Sequence, residues 1–189
     1  MTDLDQIAAE AVSRWGAQQQ PRELAGLLAL IRPGDVVVEV GCDAGGVLWA
    51  FQQAGAGRVI GVDLPAANYS TGRPLADHGA EVIVGDSHEE ATRRKLDDLL
   101  AGDPVDLLFI DADHTYKGVK QDYQLYGSLV RPGGHVAFHD ICHHHLFPDV
   151  RVDRLWWELQ AKHPGRTREI IYRIRPWGTG MGIGVLECG

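Results

Sequence analysis

Several apolar runs of this chain stop at the same kind of residue, and that repetition limits what it can fold into. "VVVEV" (Val36–Val40) leads into Gly41, "RVIGVD" ends at Asp63 and "AEVIVGD" at Asp86. "VDLLFID" ends at Asp111, and "HVAFHD" at Asp140. Short, near-continuous runs rich in Val and Ile read as strands buried on both faces. The strands are expected at Val36–Val40, Arg58–Asp63, Ala80–Asp86, Val105–Asp111 and, after the turn "RPGG", His135–His139. Helical patterns fall between and around them, at Gly46–Ala54, Thr71–His78, His88–Ala101, Tyr116–Val130 and Val152–His163. This alternation predicts an α/β fold, a mostly parallel sheet with helices on both faces. Such sheets bind ligands beyond the C-terminal ends of their strands. Asp63, Asp86, Asp111 and Asp140 are therefore rim positions.

Two further helices, Leu4–Trp15 and Arg22–Ile31, precede the first strand and are joined by "QQQP". "REIIYRI" and "GIGVLE" read as closing strands, with "RPWGTGMGIG" (Arg175–Gly184) as a flexible connection or a lid between them. The 189 residues suit a single domain, with N-terminal helices over 1–31 and the α/β core over 36–189. The N-terminal helices are expected to pair subunits in a homo-oligomer or to cover a cofactor.

The net charge of −8 opposes extended contact with nucleic acid, which needs a basic surface to displace counterions. No apolar run reaches the roughly 18 residues of a membrane span. The acidic, amphipathic start "MTDLDQIAAEAVSRW" lacks the pattern of a secretory leader, so a cytoplasmic location is expected. Cys42, Cys142 and Cys188 are too widely spaced for a paired metal motif and fit reduced thiols.

The loop after the first strand reads Glu39-x-Gly41-x-x-x-Gly45-Gly46. Glycines at a strand-to-helix turn permit a tight bend and close approach to a ligand, or serve the turn alone. The helix start beyond them offers free amides to an anionic group. Asp63 lies about 20 residues on, where an acidic side chain accepts hydrogen bonds from ribose hydroxyls. Asp86 and Ser87 end the third strand, where an adenine would lie; each also suits a helix cap.

"FIDADHTYKG" sets Asp111 three residues before His114, which lets both face one site if the chain turns helical there. Asp113 would then turn away as a cap or supporting residue, and His114 itself could be a helix cap. "CHHH" (Cys142–His145) reads as a solvated loop, because adjacent histidines rarely converge on one zinc ion, with His143 within reach of the site. "LWWEL" (Leu155–Leu159) reads as helix packing with one Trp able to face a pocket.

Taken together, "EVGCDAGG", "GVD", "GDS" and "RPGGHVAFHD" resemble the motifs of the class I S-adenosylmethionine-dependent methyltransferases, over about Val36 to Asp140. The resemblance implies a Rossmann-like fold with a seven-stranded sheet whose last strand is antiparallel. It implies S-adenosyl-L-methionine as cofactor, with Gly41 and Gly45 on its methionine side, Asp63 at its ribose, and Asp86 and Ser87 at its adenine. Glu39 and Asp111 complete the implied cofactor contacts. "FIDADHTYKGVKQD" further resembles metal-dependent small-molecule O-methyltransferases, notably a group that includes antibiotic sugar O-methyltransferases and cephalosporin-hydroxylase-like proteins. That likeness implies Asp111 and Asp140 as ligands of magnesium or another divalent cation, with His139 or water completing the shell, and His114 as the base. His139 stands where that group has Glu, and imidazole binds magnesium less readily than carboxylate does. The implied acceptor is a hydroxylated small molecule. A nicotinamide-dependent dehydrogenase and a non-catalytic binding protein of the same fold stay open as alternatives.

Overall fold

A computed structural model describes residues 3–65, 79–172 and 181–189. Seven strands form one sheet: β1 (Val36–Val40), β2 (Arg58–Asp63), β3 (Glu81–Val84), β4 (Val105–Ile110), β5 (Val130–His139), β6 (Thr167–Ile170) and β7 (Ile183–Glu187). The order is β3-β2-β1-β4-β5-β7-β6. The first five strands pair in parallel, and β7 runs antiparallel to both β5 and β6. The expected seven-stranded α/β architecture is therefore present.

Alternate residues of the central strands face two different cores, which is why these strands read as continuously apolar. Val38, Val40, Leu108, Ile110, Val136 and Phe138 point to one side, where Leu96, Tyr126 and Trp156 cover them. Val37, Leu107, Phe109 and Ala137 point to the other, covered by Ala8, Leu24, Leu48 and Phe51. The helices supplying these residues are α1 (Asp3–Trp15), α2 (Pro21–Leu28) and α3 (Gly46–Gln53) on one face, and α4 (Glu90–Leu100), α5 (Tyr116–Tyr126) and α6 (Val152–Lys162) on the other. The helix expected at Thr71–His78 lies outside the described residues, as do 173–180 of the last connection.

Several boundaries differ from expectation: helix α2 ends at Leu28, β3 spans Glu81–Val84 and α5 ends at Tyr126, and three further differences have a local setting. "RPGG" is not a turn before β5 but part of the strand, which starts at Val130. Its pairing with β4 shifts there, from Val105–Val130 to Leu107–His135. A bulge of this kind accommodates Pro132, which has no amide to donate. The amide of Gly133 donates to the Cys188 carbonyl (2.6 Å), tying the bulge to the end of β7. Helix α4 begins at Glu90, because Asp86 accepts from the His88 amide (2.9 Å) and closes a turn instead of capping a helix. Strand β6 ends at Ile170, and the last two residues of "REIIYRI" lie outside the described residues.

Trp156 and Gly184 lock α6 onto the sheet. The indole is buried, and its Nε1 donates to Glu169 Oε1 (2.8 Å), which holds the ring in place. A Cβ on Gly184 would lie 2.7 Å from Trp156 Cδ2. Gly184→Ala is expected to cost about 1–3 kcal/mol through overpacking. Urea denaturation would read this as a lower midpoint at unchanged slope; an unchanged midpoint would show that the indole is free to move aside.

Candidate active site

The C-terminal ends of β1, β2, β4 and β5 open into one cleft of about 520 Å³. Glu39, Gly41, Asp63, Asp86, Ser87, Asp111, His114, His139 and Asp140 all line it, as expected for rim positions. Gly45 does not; it precedes α3 in the left-handed conformation (φ 78°), and Gly46 lines the cleft instead.

The close approaches of the glycine loop are to the chain itself. A Cβ on Gly41 would lie 2.4 Å from the Asp111 carbonyl oxygen, and one on Gly46 would lie 2.5 Å from the Ala17 amide nitrogen. Gly41 also has φ 88°, which side chains disfavour. Its absent Cβ lets the end of β1 close against the end of β4. Asp63 accepts from the amides of Asp43 and Leu64, both at 2.6 Å, one on each carboxylate oxygen. Each oxygen keeps a second lone pair for another donor.

Around Asp111 four side chains gather. Its Oδ1 lies 3.0 Å from His139 Nδ1 and 3.2 Å from His114 Nε2. Its Oδ2 accepts from Gln19 Nε2 (2.6 Å). The other nitrogen of His114 is 3.4 Å from Asp140 Oδ2, so this ring spans the two carboxylates. Asp140 takes φ 60°, a left-handed conformation that Asp tolerates better than most residues, and this bend follows β5 directly. The Asp111–His114 approach comes from a turn rather than a helix, since α5 starts at Tyr116. Thr115 is its cap, accepting from the Gly118 amide, so His114 is not. Asp113 accepts from the Thr115 amide (2.8 Å) and supports this turn.

Charge organises the cluster. Burial works to raise the Asp111 carboxyl, but the His139 charge and the hydrogen bonds with both imidazoles outweigh it and hold it at about 2. Burial works to lower His139, yet Asp111 and Asp140 bring it up to about 9. The hydrogen bond with Asp111 raises His114 as well. Asp111, His139 and Asp140 each offer one ligand atom within 4.8 Å of the others, a spacing that suits a bound cation.

Several contributors were not legible in the sequence. Gln19, read as part of a linker, is buried against Asp111. The histidine that reaches the site is His144 rather than His143: His144 Nε2 lies 3.2 Å from Asp140 Oδ1. His143 turns to Asp153 (2.9 Å). Cys142–His145 is therefore anchored at two points rather than a freely solvated loop. Neither Trp of "LWWEL" lines the cleft: Trp156 is core and Trp157 is exposed.

A family model described as a methyltransferase domain matches residues 38–141, more than half of the chain. The chain belongs to this methyltransferase family. Tricin synthase 1 of Oryza sativa subsp. japonica is 31% identical over 137 residues, covering 66% of this chain and 54% of that protein. The ribosomal RNA large subunit methyltransferase E of Methanosarcina mazei is 33% identical over 89 residues, covering 47% of this chain and 31% of that one. The chain spans about half the length of the first curated relatives it matches. Among solved structures, the O-methyltransferase TomG of Streptomyces achromogenes in complex with SAM aligns over 100% of this chain and 91% of its own, with a TM-score of 0.61 and 20% identity. The methyltransferase fold expected from the motifs is thus borne out.

Glu39 is the costly residue of this methyltransferase cleft. Burial raises its pKa well above the ordinary carboxylate value, and Asp111, Asp63 and Asp43 add to the shift. Its Oε2 is buried without a hydrogen-bond partner among the described residues. A carboxyl raised on folding holds its proton where the unfolded chain has released it. Stability therefore falls as pH rises from the ordinary Glu range toward the raised value. Glu39→Gln is expected to stabilise the chain by about 1–3 kcal/mol at neutral pH, the cost of an unpaired buried acceptor. Denaturant unfolding should show this gain shrinking toward about pH 4; a gain independent of pH would place its origin elsewhere.

Proposed function

We propose that this protein transfers a methyl group from S-adenosyl-L-methionine to a hydroxyl oxygen of a small molecule, with the help of a divalent cation. One observation carries the reading: a single cleft joins Asp63 to the Asp111–His114–His139–Asp140 cluster. The first end suits a ribose, and the second suits the activation of an oxygen. The likeness to tricin synthase 1 supports a hydroxylated acceptor. A ribosomal RNA acceptor, suggested by the other relative, fits poorly with a net charge of −8.

Methyl transfer from a sulfonium is an in-line displacement, so the protein's tasks are alignment and proton removal. Alignment alone is worth roughly 7–11 kcal/mol. Asp63 accepts from the ribose hydroxyls while its backbone bonds hold it still. Asp86, Ser87 and His88 form the adenine side. Asp111, His139 and Asp140 would hold the cation, which would polarise the acceptor hydroxyl. Gln19 fixes Asp111 by its outer oxygen and leaves Oδ1 facing the cluster. His114, with its side chain 40% exposed, is the member of the cluster that an acceptor reaches, and it takes the proton at a ring nitrogen. With the two carboxylates engaged by a cation, His114 would lose part of the charge stabilisation that raises its pKa.

Asp63→Ala should weaken S-adenosyl-L-methionine binding by about 1.5–3 kcal/mol, the worth of hydrogen bonds to a charged group. Calorimetry checks this, and tight binding of NADH with none of the sulfonium would sink the reading. His114→Ala should slow turnover by about 10² or more while leaving cofactor affinity nearly intact. Single-turnover kinetics with a hydroxylated acceptor are the measurement; wild-type transfer rates would remove His114 from the chemistry.

A further inference from the structure

The donor set at the cation site is not the one a magnesium ion favours. Magnesium prefers oxygen ligands and keeps several waters. Here the last residue of β5 supplies an imidazole. His139 is 4% exposed, with Nδ1 directed at Asp111 Oδ1 (3.0 Å) and 3.6 Å from Asp140 Oδ2. An ion with bonds of about 2.0–2.2 Å sets adjacent donors about 3 Å apart, close to these separations. Asp140 is 3% exposed, and among the described residues its Oδ1 has no hydrogen-bond partner, although His144 Nε2 stands 3.2 Å away. Gln19 donates to Oδ2 of Asp111 and leaves Oδ1 as the oxygen that faces His139.

Two carboxylate oxygens and one imidazole nitrogen suit the later first-row ions. Their affinity for such a site rises along the series from manganese to copper and falls back at zinc, whereas magnesium gains little from imidazole. We propose that this centre takes a first-row transition ion, of the Mn²⁺ to Zn²⁺ class, in preference to magnesium, and that His139 makes the choice. The inference rests on the divalent-cation part of the proposed function and names the class of ion. Sequence position alone does not decide it. The tertiary structure does, by burying His139 with a ring nitrogen facing both carboxylates.

The test is direct binding to the full chain after chelator treatment, read by calorimetry with Mg²⁺, Mn²⁺, Co²⁺ and Zn²⁺, and by the visible absorption of Co²⁺. One Co²⁺ per chain is expected, at least about tenfold tighter than Mg²⁺. His139→Asn should weaken Co²⁺ by at least the roughly 10–100-fold that loss of a mere outer partner costs, and change Mg²⁺ far less. His139→Asp, which makes the donor set all oxygen, should narrow the gap between Co²⁺ and Mg²⁺. Mg²⁺ binding as tightly as Co²⁺ to the wild-type chain overturns the inference and leaves the divalent-cation reading intact, and that comparison needs no variant to fold. Co²⁺ binding that survives Asp140→Asn also overturns it, because the ion then sits elsewhere, as on His143 and His145. Failure of every ion to bind overturns both, and leaves the His139 imidazolium as the cation that the carboxylates hold.

Discussion

The junction of β1 with β4, at the centre of the sheet, is what the rest of the structure depends on. The Asp111 amide donates to the Val40 carbonyl and the Gly41 amide to the Val62 carbonyl, both at 2.8 Å. Three strand ends are thereby brought to one level. Gly41 then passes within a missing Cβ of the Asp111 backbone. Any side chain there would push the end of β4 away from β1 and carry Asp111 out of register with Glu39 and Asp63. The glycine loop and the acid–imidazole cluster thus share one packing contact.

That contact concentrates negative charge. Glu39, Asp43, Asp63, Asp111 and Asp140 all border one cleft, in a chain already at −8. Burying carboxylates is tolerable only with compensation. Backbone amides supply it at Asp63. Histidines and an amide side chain supply it at Asp111. Glu39 has no such partner for its Oε2 among the described residues, and its raised pKa records the cost. The arrangement resembles a strained active site more than a stable core. A ligand bearing positive charge, whether a sulfonium or a metal ion, relieves the repulsion that the fold imposes.

Legibility in the sequence followed burial. Strands β1 and β2 begin and end where expected, because parallel strands covered on both faces stand out as apolar runs. The start of β5 did not, since Pro-Gly-Gly carries the local signature of a turn. It stays in the sheet because β7, distant in sequence, bonds to it. The polar strand ends were legible for the same reason as the strands: a carboxylate at the end of an apolar run has to lie at the rim.

Composition and pattern by themselves determined the α/β alternation, the strand ends that form the site, and the presence of Asp63, Asp111, His114, His139 and Asp140 at one edge. These depend on periodicity and on the cost of burying charge, which act locally. Only the tertiary structure decided which partners those residues meet. Gln19 reaches Asp111 from 92 residues away because α1 and α2 fold over the same edge of the sheet. His144 rather than His143 faces Asp140 because the left-handed turn at Asp140 sets the direction in which the loop leaves β5. Such contacts join side chains distant in sequence, or depend on a single backbone angle, and neither leaves a period or a spacing to be read.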